Sequence, residues 1–174
     1  MSTSAQGIVE KVRSILGLPP EAPVEQLKGY VEVPVDVASI RDAAARLKAA
    51  GFDHVKSVTA VDYPAKGQIK VIYHVSSMLD ESLSKYVVGL ATSVDRDNPV
   101  LPSLSDIWLS AEFQEREVYE FFGVKFEGHP DLRPLLLTPD IAALRPLRKD
   151  FKVAEEDDYL KSTYEEYEST KRWV

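Results

Sequence analysis

The chain of 174 residues contains no cysteine. Disulfides, thiolate zinc sites, Cys-ligated iron–sulfur clusters and a cysteine nucleophile are therefore excluded. No apolar run approaches the roughly 20 residues that a membrane-crossing helix needs. The first residues, Met-Ser-Thr-Ser-Ala-Gln-Gly, lack a charged segment followed by an apolar one, so no secretory signal is read there. Positive charge is in deficit, with 21 Lys plus Arg against 28 Asp plus Glu and a net charge of −7. That balance argues against nucleic-acid binding, which neutralises phosphates with Lys and Arg. Gly51, Gly67, Gly89, Gly123 and Gly128 each stand alone. There is thus no phosphate-cradling loop, no dinucleotide fingerprint and no serine-centred nucleophile elbow.

What is present is ordinary globular composition, 44% hydrophobic and 28% charged, which argues against wholesale disorder. The charge is uneven. Residues 1–100 are almost neutral, and nearly all the negative excess lies in 101–174. This asymmetry suggests a compact first part and a charged second part with a different task.

Apolar residues Ile8, Val12, Ile15 and Leu16 predict a helix over 4–16, ended by Gly17 and Pro19-Pro20. Val31, Val33 and Val35 alternate as in a strand, and Pro34 favours an edge or a strand end. Ser39 is read as the cap of a helix striped by Ile40, Ala43, Ala44 and Leu47, with Asp42 as a weak capping box. β-like runs follow at 54–61, 68–76 and 85–93, with a hairpin turn at Tyr63–Gly67 between the first two. The fold class expected is α+β, a mostly antiparallel sheet with helices on one face. A helix over 107–122 should follow, and 124–152 reads as an ordered but irregular segment of the kind that lies across another protein. The units expected are 1–26 (helix and linker), 27–103 (α+β domain), 104–152 (helix and wrapping segment) and 153–174. The last is acidic, and its aromatics from Tyr159 to Trp173 are placed for a tail helix.

Three clusters could carry chemistry. Glu112, Arg116 and Glu120 are four apart, which by spacing alone favours a surface salt-bridge ladder. His129 and Asp131 could ligate a metal or shuttle protons, but a lone His-x-Asp supplies too few ligands, and a turn is favoured. Arg145-Pro-Leu-Arg-Lys-Asp150 suits phosphate, an acidic partner surface or a partner's carboxylate, with a solvated loop as the alternative. A free-standing metal-dependent enzyme using His129, Asp131 and Glu120 is the competing class.

These clusters also stand in a telling order. Glu115-Arg-Glu-Val-Tyr-Glu-Phe-Phe-Gly-Val124, then Phe126-Glu-Gly-His-Pro-Asp-Leu-Arg133, then Leu135-Leu-Leu137 and Pro146-Leu-Arg-Lys-Asp-Phe151, resembles the signature of the respiratory complex I 30 kDa subunit family. That family supplies the C subunits of NADH-quinone oxidoreductases, with relatives in archaeal complexes and membrane-bound hydrogenases. Departures are Glu120, where the family usually has Asp, Pro134, where it has Arg or Lys, and Arg145, where a Gly is common. The resemblance implies a peripheral-arm subunit on the cytoplasmic face of the membrane, reaching the membrane only through its complex. It implies no cofactor on this chain; NADH or another donor, flavin, iron–sulfur clusters and quinone belong to the parent complex. The partners implied are the quinone-site 49 kDa-type subunit and the adjacent iron–sulfur subunit. Glu115, Arg116, Glu117, Gly123, Gly128, His129, Pro130, Asp131, Arg133, Pro146, Arg148, Lys149 and Asp150 become interface or motif residues, not catalysts.

Overall fold

The structure is a computed structural model and describes residues 3–153. The tail helix expected after Tyr159 lies outside the described residues. Helix α1 is Thr3–Leu16, β1 is Glu25–Gln26, β2 is Val31–Pro34 and α2 is Ile40–Ala49. Strands β3 (His54–Tyr63) and β4 (Gln68–Ser76), the short helix α3 (Glu81–Ser84) and β5 (Val88–Asp95) follow. Then come β6 (Val100–Pro102), α4 (Glu112–Phe122), β7 (Lys125–Glu127) and α5 (Pro139–Ala143).

The sheet has the order β1-β2-β5-β4-β3, and β6 and β7 form a second, two-stranded sheet. The α+β class with a mostly antiparallel sheet is as the pattern predicts. Two pairings, β2 with β5 and β6 with β7, are parallel. Period-2 alternation cannot distinguish them, because it sets which face a side chain takes and not the direction of the neighbour.

One apolar core joins the elements. Ile8, Val12 and Leu16 of α1 and Ile40, Ala44 and Leu47 of α2 pack with Val33, Val71, Tyr73 and Leu90 of the sheet and Val118 of α4. Each fully buried Leu, Ile or Val contributes roughly 1.5–3 kcal/mol. The opposite sheet face is polar but not bare. Lys70 forms an ion pair with Glu32, which Tyr30 also hydrogen-bonds, and the Tyr30 and His74 rings meet edge to face at 4.7 Å.

The hairpin turn at 63–67 forms as expected, a 3-10 turn closed by Gly67 at φ +62°. Ser39 differs from expectation. It makes no side-chain cap and ends a 3-10 turn, while Asp42 pairs with Arg46 one turn on at 2.8 Å. The helix expected over 107–122 starts later, because Leu109–Ala111 is a 3-10 turn. The Ser105 amide turns to the Ser103 hydroxyl, and Asp106 forms an ion pair with Arg41. The segment 124–152 holds two short regular elements, β7 and α5.

Candidate functional site

Helix α4 organises the signature residues, and its own sequence explains why. Val118 faces the core, and Gly123 at φ +80° ends the helix in the left-handed conformation that glycine takes without strain. Near its start, Ser110 Oγ accepts the Val55 N–H (3.0 Å) and Gln114 Oε1 accepts the Val58 N–H (2.7 Å). Two amides on the open edge of β3 are thereby taken by side chains, which hinders pairing with another chain there.

Glu112, Arg116 and Glu120 do not form the expected surface ladder. Glu120 is 0% exposed. Its carboxylate accepts the backbone N–H groups of Leu135 (2.8 Å), Leu136 (3.0 Å) and Leu137 (3.1 Å). One turn earlier, Arg116 donates to the carbonyls of Arg133 (2.9 Å) and Pro134 (3.0 Å). A cation and an anion four residues apart thus grip the acceptors and donors of one loop. Helix spacing put both on one face, but their partners are backbone, not each other.

Glu115, also 0% exposed, ties α4 to the sheet. It accepts from the Tyr73 hydroxyl (2.8 Å), the Ser103 hydroxyl (2.6 Å) and the Leu104 N–H (2.8 Å). Burial raises its pKa above the usual carboxylate range, and these three donors, with His129, only partly offset that. Tyr73 is pushed well up, by burial first and then by the Glu115 charge.

His129 and Asp131 form a turn. His129 Nε2 meets the Glu112 carbonyl at 3.0 Å, while Nδ1 accepts the Asp131 N–H at 3.1 Å. The ring is therefore the Nε2–H tautomer, with both nitrogens engaged. Asp131 binds Arg133 through both carboxylate oxygens, which holds its pKa below the usual range. His129 and Asp131 hence share one turn, while Glu120 serves a different set of amides. Among the described residues no group of three or more His, Cys, Asp or Glu converges as a metal site would.

The Arg145–Asp150 cluster closes the other end of α4. Arg145 Nη1 donates to the Tyr119 carbonyl (3.3 Å), the Leu147 N–H to Phe121 (3.2 Å) and Arg148 Nε to Phe122 (2.7 Å). These are carbonyls of the last turn of the helix, at its negative end; the Tyr119 carbonyl also accepts the Gly123 N–H. Arg145 itself has φ +53°. A glycine would hold that conformation without strain, so the Arg145 side chain caps the helix at a backbone cost. Arg148, expected at a partner surface, is half-buried and hydrogen-bonded within the chain.

Gly123→Ala tests this closure. A Cβ there would lie 2.6 Å from Arg145 Nε, on a backbone that disfavours L side chains. The expected loss is roughly 1–3 kcal/mol, read as a lower urea midpoint with unchanged slope.

The segment's end is fixed by residues that spacing did not single out. Asp62, fully buried as a side chain, accepts from Arg96 Nε (2.8 Å) and Nη2 (3.1 Å) and from the Lys149 N–H (2.8 Å). Arg96 also binds Asp150 at 2.7 Å. These bonds hold Asp62 below the usual carboxylate range, the Arg96 contact most strongly. One signal was available. Val58, Ala60 and Asp62 occupy the same inward row of β3, so a carboxylate stood where the alternation called for an apolar residue. Gly128, at φ +81°, turns the chain after β7, and Glu117 and Pro130 make none of the hydrogen bonds described. Pro146 lies between the two arginines that cap α4.

The fold and this site define an α+β module whose C-terminal segment is clasped onto its own signature helix. Residues 33–157 match the family described as respiratory-chain NADH dehydrogenase, 30 Kd subunit, and the chain belongs to that family. It is 42% identical over 106 residues to the C subunit of the NADH-quinone oxidoreductase of Moorella thermoacetica, covering 61% of this chain and 68% of that one. To the C/D subunit of the Phocaeicola vulgatus NADH-quinone oxidoreductase it is 39% identical over 123 residues, 71% of this chain but only 22% of the longer relative. A chain of the archaeal membrane-bound sulfane sulfur reductase superposes with a TM-score of 0.75 at 30% identity, covering 93% of this chain and 92% of that one.

Proposed function

We propose that the chain is a peripheral-arm subunit of a complex I-like oxidoreductase that supports the quinone-site subunits without holding a redox centre. In this reading its partners are the 49 kDa-type subunit and the neighbouring iron–sulfur subunit, and it meets the membrane only through them, on the cytoplasmic face. NADH, flavin, iron–sulfur clusters and quinone then belong to the rest of the complex. The electron donor is that of the parent complex, and a hydrogenase-type complex is the alternative parent.

The observation that carries this reading is a set of exposed leucines on the clasped segment. Leu136, Leu144 and Leu147 are 65%, 57% and 53% exposed, although the Leu136 and Leu147 N–H groups are bonded to Glu120 and Phe121 of α4. Large apolar side chains held rigidly in water are the expected signature of a surface that another protein covers. The Phocaeicola vulgatus relative supports apposition of the C and D parts, because its one longer chain carries both names.

An affinity-tagged chain recovered from native membranes should bring quinone-site subunits with it. The combined Leu136→Asp, Leu144→Asp and Leu147→Asp variant should recover them about tenfold less well, with a melting temperature close to that of the parent. Recovery equal to the parent's would overturn this assignment of the surface.

A further inference from the structure

Strand β5 is longer than the strand that covers it. On one side it pairs with β4 along its whole length, from Val88 to Asp95. On the other it pairs with β2 only as far as Ala91, and the last rung is the Val35 N–H on the Ala91 carbonyl at 2.8 Å. The Val87 and Ala91 carbonyls both face β2, so strand alternation turns the backbone groups of Ser93 and Asp95 the same way. Among the described residues neither backbone finds a partner on that side, and both residues are exposed.

Beside this free edge, where the chain leaves β2, lies a cleft of about 570 Å³ lined by Pro34, Asp36, Gln68, Thr92 and Ser93 among others. The Thr92 hydroxyl borders it with no hydrogen-bond partner, on a residue only 3% exposed. Asp36 is the one charged residue among the lining; Asp95, further along the strand, already accepts the Asp97 and Asn98 N–H groups through Oδ1. The opposite edge of the sheet contrasts with this. There Ser110, just before α4, and Gln114 in its first turn already occupy the outward Val55 and Val58 amides of β3.

We propose that the free edge of β5 at Ser93–Asp95 takes an extended, Lys- or Arg-bearing segment of a partner subunit as an added strand. It would continue the line of β2 across the cleft. The free N–H and C=O groups supply the ladder, and Asp36, the charged residue of the cleft, selects positive charge. The inference rests on the reading that the chain works within a complex.

Hydrogen exchange tests it, on the full chain alone and on the complex recovered through its tag. In the free chain the Ser93 and Asp95 amides should exchange fast. In the complex they should slow by at least about tenfold, while Val94, already bonded to β4, changes little. Equal exchange in a recovered complex overturns the added strand and leaves the proposed function standing. Protection already present in the free chain overturns it too, because a second copy or the chain's own residues would then hold the edge. If no complex is recovered, both readings fail. Ser93→Pro is the matching variant. It removes only the outward N–H, so the melting temperature should hold while recovery of partners falls about tenfold. A Ser93→Pro chain that recovers its partners as the parent does would count against the proposal.

Discussion

Asp62→Ala lowers the unfolding free energy by about 3–5 kcal/mol, the cost of removing one partner of a buried ion pair. For a domain of this size that corresponds to a fall in melting temperature of roughly 8–15 °C. The loss is large because one carboxylate serves two elements. It neutralises Arg96 at the end of β5, and it accepts the Lys149 N–H at the end of the clasped segment. Arg96 keeps Asp150, which is mostly exposed and therefore a weak substitute. Asp62→Asn keeps the shape and should lose about half as much, because an amide still accepts one hydrogen bond but carries no charge.

The pH dependence fixes the sign. Folding lowers the Asp62 pKa, so its stabilisation is fully present above the unfolded value of about 3.9. It is lost as pH falls through the lower folded value. The gap between parent and Asp62→Ala should therefore be widest near neutrality and shrink below about pH 4. Glu115 acts in the opposite sense. Its pKa is raised by burial, so its contribution is fullest below the unfolded value and declines as pH rises through the folded one. Urea titrations of the parent and Asp62→Ala at about pH 7 and about pH 3 measure the first effect directly. An unchanged gap in acid would show that the Asp62 charge is not what stabilises the fold.

Glu120→Ala should cost roughly 2–4 kcal/mol and act locally. The variant leaves three amides, of Leu135, Leu136 and Leu137, without their acceptor, while the Arg116 contacts to Arg133 and Pro134 remain. The expected signature is faster amide exchange and new proteolytic cleavage near 133–138, with the sheet still protected. Glu120→Gln keeps one oxygen acceptor and should retain part of the protection. Uniform loss of protection across the sheet would instead make Glu120 a core residue rather than a clasp.

Much of this was legible in the residues, and the reasons are particular. The row Ile69, Val71, Tyr73, Val75 predicts its strand because period 2 assigns a face whatever lies opposite. The stripe Ile40, Ala43, Ala44, Leu47 predicts its helix in the same way. Gly123 marks the end of α4, because φ +80° suits glycine alone among common residues. Capping was less legible. Ser39 has the right residue type, but its backbone already lies in a 3-10 turn, so its hydroxyl has no first-turn amide to accept.

The sequence by itself determined the α+β class, the order of its elements and the family signature, because periodicity, turn residues and motif order are local in the chain. It determined the absence of thiol chemistry in the same direct way. Only the tertiary structure decided what the charged residues bind. Arg116 and Glu120 read as partners of each other because helix spacing brings them together. They bind residues 133–137 instead, because Glu120 is buried and a buried charge needs hydrogen-bond partners, which the backbone of that loop supplies. Asp62 and Arg96 are 34 residues apart, and Asp62 and Lys149 are 87 apart. No local pattern joins such pairs, since only the fold sets which distant groups share a place out of water.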